Sequence, residues 1–174
     1  NQYITQYPAS ERVDTVYNYL VMAYLQTRNF SMALESLEKI RYKDEQIEEA
    51  YQKVAFYRGL ELFNNLRFTE AVDILERALE YGKYDAGIRA RTYYWLGEAA
   101  YRAGDQETAK MYFTEFMDEP VAHRQEEYAL AHYSMGYVYF EQENYEKAGN
   151  WFATYIRLEK DKKAQTLADA YNRK

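Results

Sequence analysis

The chain offers few side chains whose type and spacing could support catalysis. Its two histidines, His123 and His132, have no glutamate three residues before them, as a helical di-iron site would require. The segment His123–Glu127 lacks the second nearby histidine of a helical zinc motif. The chain has no cysteine, phosphate-binding glycine loop or strand-to-helix nucleophile turn. We therefore predict a protein that is not an enzyme, with no catalytic residue, metal site or cofactor.

Composition limits the classes of partner. With 174 residues, 48% hydrophobic and 29% charged, the chain is typical of a globular protein with a real core. The net charge is -6 and no basic block is present, which disfavours nucleic acid as a partner. No apolar run approaches the roughly 20 residues of a membrane helix, so we expect no direct membrane insertion. The 21 tyrosines are unusual, and their number indicates packing or surface use.

Pairs of small residues recur along the chain and indicate an internal repeat. The two members of each pair are 12 residues apart, and the second members follow one another at intervals of 38, 38 and 39 residues. Valine replaces the first small residue in the first copy. The pairs are Val21 and Ala33, Gly59 and Ala71, Gly97 and Ala109, and Gly136 and Ala148. Short side chains at these positions predict a close contact between two neighbouring helices.

Each copy of the repeat divides into two amphipathic helical segments joined by a short break. Tyr93, Leu96 and Ala100 show the spacing of one helix face, and the other copies repeat it. Asn29, Asp105 and Asn144 occupy the same position in three of the breaks, where their side chains can cap the following helix. The repeating unit is therefore predicted to be a helix, a tight turn and a second, antiparallel helix.

These motifs resemble the tetratricopeptide repeat (TPR). Its pattern of a bulky residue, Leu-Gly, an aromatic, a Gly-Asp-like turn and a small Ala is matched by WLGEAAYRAGDQETAKMYF, Trp95–Phe113. The stretch His132–Phe152 matches it nearly as well, and the first two copies match it less closely. The resemblance implies an all-α fold, a right-handed α-solenoid of antiparallel helix-turn-helix hairpins. We name the first helix of each hairpin helix A and the second helix B.

The resemblance also predicts how the chain is divided. We expect one solenoid fragment of a longer array, with a looser resemblance to bacterial cell-envelope TPR proteins. Those are outer-membrane barrel-assembly lipoproteins and a Tol-Pal-associated periplasmic coordinator, which suggests a periplasmic or envelope location. The predicted segments are the tail of a preceding helix B (1–10), four repeats (13–41, 50–81, 88–119 and 127–158) and the start of a fifth helix A (163–174).

The family resemblance places candidate binding residues on the inner, concave face of helix A. Three positions on each helix A form one stripe, and two flanking positions join them. Most of these positions are aromatic or aliphatic, unlike the Lys and Asn set with which one TPR subgroup holds a carboxylate. The predicted partner-binding residues are Phe56, Phe63, Arg91, Tyr94, Tyr101, Arg102, Tyr133, Tyr137 and Phe140.

We predict a non-catalytic scaffold that binds a protein or peptide segment in this aromatic groove. Arg91 and Arg102 share one face and could attract an acidic segment. Packing against the next helix A would account for many of the aromatics, and it accounts least well for Tyr94, Tyr133 and Tyr137. Two alternatives stay open at this point: self-association through exposed end repeats, and binding of a carbohydrate or another small ligand by the aromatic side chains.

Overall fold

The computed structural model describes residues 12–161 and 165–174, and all the regular secondary structure in these residues is helical. Nine α-helices and one 3-10 turn follow one another without a strand in these residues. They are α1 Val13–Gln26, α2 Phe30–Lys39, α3 Glu45–Asn64, α4 Phe68–Glu80, α5 Ala86–Ala103, α6 Gln106–Asp118, the 3-10 turn Ala122–Arg124, α7 Glu127–Glu141, α8 Tyr145–Leu158 and α9 Gln165–Arg173. The predicted all-α fold of helical hairpins is confirmed. None of these helices is both long and apolar enough to cross a bilayer.

Short turns with a common geometry join the two helices of each hairpin. The side chains of Asn29, Asp105 and Asn144 each accept a hydrogen bond from the backbone N–H three residues ahead, at 3.0–3.2 Å. Each such cap satisfies one of the free N–H groups in the first helical turn. The residue before the cap has a positive φ in all four turns, and only Gly104 adopts that conformation without strain. Turn chemistry therefore fixes where α2, α6 and α8 begin.

Two compact units make up the chain, Asn1–Ile88 and Arg89–Lys174. In the N-terminal unit, α1 to α4 form two hairpins around buried aliphatic and aromatic side chains, among them Leu37, Val54 and Leu75. The buried side chain of Gln52 bonds both backbone groups of Asp85, at 2.9 and 3.0 Å. That pair ties α3 to the segment after α4.

The C-terminal unit packs its hairpins through glycine and phenylalanine. A Cβ atom on Gly97 would lie 2.6 Å from the ring of Phe113, and one on Gly136 would lie 2.5 Å from the ring of Phe152. No side chain fits in so short a distance, so glycine permits helix A to approach helix B. The sequence prediction that small residues mark the helix contact agrees with this packing.

Some predicted segments lie partly outside the described residues. The segment 1–10, predicted as the tail of a preceding helix B, lies outside them altogether. The predicted start of a fifth repeat, 163–174, overlaps α9, which packs on α8 through the buried Leu167 and Ala170. The division of the chain into four repeats and two partial ones stays a prediction.

Candidate functional site

Five of the nine predicted binding residues surround one cavity in the C-terminal unit. The cavity has a volume of about 370 Å³ and lies between α5 and α7, with one residue from α9. It falls near the lower end of the range of about 300–1,000 Å³ that is common for ligand sites. Its lining residues are Tyr94, Glu98, Tyr101, Arg102, Leu130, Tyr133, Ser134, Tyr137 and Thr166. We call this space the tyrosine cavity.

Glu98 is the acidic side chain in the wall of the tyrosine cavity. Burial raises the pKa of its carboxyl above the ordinary value, although hydrogen bonds from Ser134 and Tyr94 and the charge of Arg102 oppose this shift. The Ser134 hydroxyl donates to Glu98 Oε1 across the two helices. A carboxylate has about four acceptor positions, so these two donors leave Glu98 with capacity for a ligand.

The other tyrosines of the cavity also donate their hydroxyl groups to carboxylates. Tyr101 donates to Glu141 Oε1 at 2.5 Å. Tyr133 donates to Asp169 Oδ2 at 3.0 Å, and Tyr137 donates to the same oxygen. Burial raises the pKa of Tyr101 and of Tyr133, and the carboxylate partners add to the shift. Because the hydroxyl groups are already engaged, the rings are what these tyrosines offer to the cavity.

The two predicted arginines have different surroundings. Arg91 Nε donates to Glu127 Oε1 at 2.7 Å, and Glu127 is buried, so this arginine already serves an internal ion pair. Arg102 is exposed and forms no hydrogen bond or ion pair with any described residue. Of the two, Arg102 is the cation that is available to an acidic group of a partner.

The expectation that Tyr94, Tyr133 and Tyr137 are poorly explained by packing is wrong. Tyr94 is only 4% exposed and packs against Phe113 and Phe116. Tyr133 and Tyr137 both pack edge-on against Phe152, while their hydroxyl groups reach α9. Tyrosine serves here because a ring fills the core and its hydroxyl reaches a carboxylate at the edge of that core, which Leu or Ala cannot do.

Phe140, the last predicted residue of this unit, lies beside the cavity rather than in its wall. Its ring packs edge-on against Tyr145 at 5.3 Å, and the guanidinium of Arg173 lies 4.7 Å from the ring centre. The same guanidinium lies 4.9 Å from the ring centre of Tyr137. Helix α9 therefore covers the part of the aromatic face that Phe140 and Tyr137 share.

In the N-terminal unit, the predicted residues do not form an open groove. Phe56 is 0% exposed, so its assignment to an accessible groove is wrong: the side chain faces the core. Phe63 is half-buried and packs edge-on against Phe68 of the same hairpin at 5.3 Å. A different aromatic pair, Phe30 stacked on Tyr57 at 5.2 Å, lines two surface hollows of about 670 and 450 Å³.

The histidines have the structural surroundings that the sequence indicates. His123 is exposed on the 3-10 turn. His132 is buried, its Nδ1 lies 2.9 Å from the carbonyl oxygen of Tyr128, and burial lowers its pKa. In residues 12–161 and 165–174, no three His, Asp or Glu side chains are placed so that they could hold one metal ion together.

Several residues of the site were missed by sequence reasoning. Ser134 and Thr166 line the tyrosine cavity, and Asp169 and Arg173 of α9 bond to or stack on its aromatic residues. Ser134 could have been noticed in the sequence, because it is a small polar residue at the position where the two preceding copies have the aromatic residues Tyr57 and Trp95. Asp169 gives no such signal, since a single acidic residue on a helix is ordinary.

Solved structures with the same fold are numerous. MamA aligns with a TM-score of 0.59 at 19% identity, over 94% of this chain and 84% of that one. BtubC from P. vanneervenii aligns with a TM-score of 0.61 at 14% identity, over 96% and 76%. A putative kinesin light chain with TPR-like repeats from Podosopora anserina gives 0.53 at 14%, over 94% and 89%. At these identities, the likeness shows the fold alone.

Sequence comparison identifies the repeats directly. No curated protein matches the chain. Two tetratricopeptide repeat profiles do match, one over residues 56–110 and the other over residues 129–162. These stretches of 55 and 34 residues together make up 89 of the 174 residues, just over half of the chain. The chain therefore belongs to the tetratricopeptide repeat family, whose members are α-solenoids of helical hairpins.

Proposed function

We propose that this protein is a non-catalytic scaffold that binds a peptide or protein segment at the tyrosine cavity of its C-terminal unit. Proteins with this fold are generally protein–protein interaction scaffolds, which supports the class of function. The observation that carries the proposal is the cavity of about 370 Å³, where four tyrosines, Glu98 and Arg102 converge. Its size suits one or two side chains of a segment.

The chemistry of the cavity supports binding rather than catalysis. Aromatic rings provide large and stiff contact areas, and they are enriched where proteins bind one another. Glu98 is the one carboxyl group among the lining residues, burial raises its pKa, and no histidine or second carboxylate lies beside it in the wall. A location in a bacterial envelope stays a prediction from the sequence, and so do self-association and the binding of a carbohydrate.

Selection of displayed peptides would test the proposal. Short random peptides are selected on the immobilised protein, and the recovered peptides are measured by fluorescence anisotropy against the wild type and two variants. We expect Arg102→Ala to weaken binding several-fold. The matched control is Arg157→Ala, because Arg157 is also exposed, lies on α8 and does not line the cavity.

Circular dichroism checks that both variants keep the helical content of the wild type. Equal binding by all three proteins would move the site away from the tyrosine cavity. Failure to recover any peptide that binds the wild type would overturn the proposal that the unit binds peptides.

A further inference from the structure

The tyrosine cavity contains aromatic rings and one acidic group, Glu98, which forms no ion pair with a basic side chain of the described residues. Glu98 accepts hydrogen bonds from Ser134 and Tyr94 and has further acceptor positions free. The hydroxyl groups of Tyr101, Tyr133 and Tyr137 all donate to carboxylates. Besides Arg102, a ligand in the cavity therefore meets the carboxylate oxygens of Glu98 and the faces of the aromatic rings. Both attract a cation, particularly where water is excluded.

One arginine already shows how these rings accept a cation. The guanidinium of Arg173 lies over Tyr137 and Phe140 at 4.9 and 4.7 Å, while its Nε donates to Asp169 Oδ1 at 3.1 Å. Rings and a carboxylate thus hold a basic side chain together at the edge of the cavity. Glu98 and the remaining tyrosines repeat this combination in the wall of the cavity, and no basic side chain of the described residues forms an ion pair with Glu98.

A second charge stands one helical turn away. Arg102 lies four residues after Glu98 on α5, so their Cβ atoms are about 5–6 Å apart on one face. Although Arg102 is near enough to lower the pKa of Glu98, it forms no ion pair with any described residue. An exposed arginine such as Arg102 is suited to a carboxylate, which it can bind through two parallel hydrogen bonds.

The spacing of the two charges fits an extended chain. Residues i and i+2 of an extended segment point to the same side and lie about 6.5–7 Å apart. From these observations we propose that the cavity recognises an extended segment with a basic side chain and, two residues away, an acidic one. The basic side chain enters beside Glu98, and the acidic one pairs with Arg102. This inference rests on the proposed function and names the chemistry of the partner.

The test uses four short peptides, acetylated and amidated, in one leucine-containing host sequence. They carry Lys-Ala-Glu, Gln-Ala-Glu, Lys-Ala-Gln or Gln-Ala-Gln at the centre, and anisotropy gives the Kd of each. For the wild type, we expect loss of either charge to weaken binding about tenfold. In Glu98→Gln, replacing Lys with Gln has little further effect. In Arg102→Gln, replacing Glu with Gln has little further effect.

Two controls make the result specific. Arg157→Gln should retain the wild-type preference for both charges, since Arg157 lies outside the cavity. The preference for lysine should also weaken as the pH falls through the raised pKa of Glu98, because a protonated carboxyl no longer attracts a cation. In Glu98→Gln, which lacks this carboxyl, the Kd values of the lysine peptide and its glutamine counterpart should stay close to each other at every pH.

Failure of this inference differs from failure of the proposed function. If peptides recovered from a random library bind at the cavity but all four host peptides bind equally, the charge preference is overturned and the scaffold function stands. The same conclusion follows if the lysine contributes equally in the wild type and in Glu98→Gln. If neither library nor host peptides bind the wild type, the proposed function fails as well.

Discussion

The same face of helix A has different chemistry in the two units of the chain. Three positions of the repeat, counted from the small residue at the helix contact, allow the comparison. They hold Phe56, Leu60 and Phe63 on α3, and Tyr94, Glu98 and Tyr101 on α5. The first position is buried in both units, with 0% and 4% of the side chain exposed. The second and third positions are apolar on α3 of the N-terminal unit and polar on α5 of the C-terminal unit.

The comparison distinguishes one buried position of helix A from two partly exposed positions. At the first position, Phe56 of α3 and Tyr94 of α5 are both buried aromatic side chains. The next two positions are partly exposed, so their chemistry can change without loss of the core. In the C-terminal unit, Glu98 and Tyr101 use this freedom to form hydrogen bonds with residues of α7. A binding site can therefore arise in one unit of the repeat and not in the other.

The largest effect is expected from Phe56→Ala, which tests the burial at the first position. Loss of a fully buried ring should lower the free energy of unfolding by about 3–5 kcal/mol. Urea denaturation followed by circular dichroism measures it. Phe63→Ala is the matched control and should have a smaller effect, because Phe63 is half-buried. If the order were reversed, Phe56 would be a surface residue, as the sequence prediction had it.

Substitution of the glycine at the contact between helix A and helix B should destabilise both units alike, whereas the exposed positions of helix A differ between α3 and α5. An added methyl group would lie 2.5 Å from Leu75 in Gly59→Ala and 2.6 Å from Phe113 in Gly97→Ala. Overpacking of this kind should destabilise each variant by about 1–3 kcal/mol. Gly149→Ala is the control, because Gly149 lies within α8 and away from the contact between the two helices of the hairpin. A Cβ atom at Gly149 would lie 3.2 Å from the backbone oxygen of the terminal Lys174.

Thermal denaturation of the three glycine variants provides the measurement. We expect Gly59→Ala and Gly97→Ala to melt at lower temperature than the wild type and Gly149→Ala to melt at or above it, since alanine favours helix. A substitution that is tolerated in only one unit would show that the two hairpin contacts differ, and the comparison would then extend to the core.

The fold could be predicted from the sequence because the same local signals recur in three or four copies of the repeat. Glycine and alanine at fixed intervals indicate the helix contact, and Asn29, Asp105 and Asn144 indicate the caps. These are local constraints of short-range chemistry, which a single sequence displays directly. The start of α4 is the exception, since Arg67 provides no side-chain cap and the helix begins at Phe68 nonetheless.

The candidate site could be predicted only in part, because exposure depends on neighbours that the register does not reveal. The register placed Tyr94, Tyr101 and Arg102 on one face, and all three line the tyrosine cavity. It could not show that Glu127 already pairs with Arg91, since these residues are 36 positions apart. Nor could it show that α9 brings Asp169 to the tyrosines of α7.

Asp169 tests whether the tyrosines of the C-terminal unit depend on their carboxylate partners. Asp169→Ala leaves the hydroxyl groups of Tyr133 and Tyr137 and the guanidinium of Arg173 without this acceptor. We expect a loss of about 1–2 kcal/mol in the free energy of unfolding, because water replaces the acceptor only in part. Glu159→Ala, a change of another partly buried carboxylate that accepts from a tyrosine, Tyr155, provides the comparison.

The effect of Asp169 should also depend on pH in a defined direction. Burial disfavours its ionised form, but hydrogen bonds from Tyr137, Arg173 and Tyr133 outweigh this and hold its pKa below the ordinary 3.8. The stabilisation is present above that ordinary pKa and is lost as the pH falls through the lower folded-state pKa. Urea denaturation should therefore show wild type and Asp169→Ala converging at strongly acidic pH. A constant difference at all pH values would contradict this.

Substitution of Glu98 should change the free energy of unfolding least, and its pH dependence should be opposite to that of Asp169. Burial raises its folded-state pKa above the ordinary 4.5, so the folded protein holds the proton more firmly than the unfolded chain. Its contribution to stability is fully present below the unfolded-state pKa and is lost as the pH rises through the folded-state pKa. Glutamine resembles the protonated carboxyl in shape and carries no charge. Glu98→Gln should therefore equal the wild type at acidic pH and exceed it by less than about 1 kcal/mol at neutral pH.

The groups around Glu98 determine how far the free energies of unfolding of Glu98→Gln and the wild type differ. The titratable and charged groups that line the cavity with it are Tyr94, Tyr101 and Arg102 on α5 and Tyr133 and Tyr137 on α7. Burial raises the pKa of Tyr94, Tyr101 and Tyr133 above the ordinary value for tyrosine, so these side chains stay neutral from acidic to neutral pH. Urea denaturation of Glu98→Gln and wild type at several pH values therefore isolates the one carboxyl. If glutamine were destabilising at neutral pH, an ionised Glu98 would hold the two helices together, and the cavity would be a structural contact rather than a binding site.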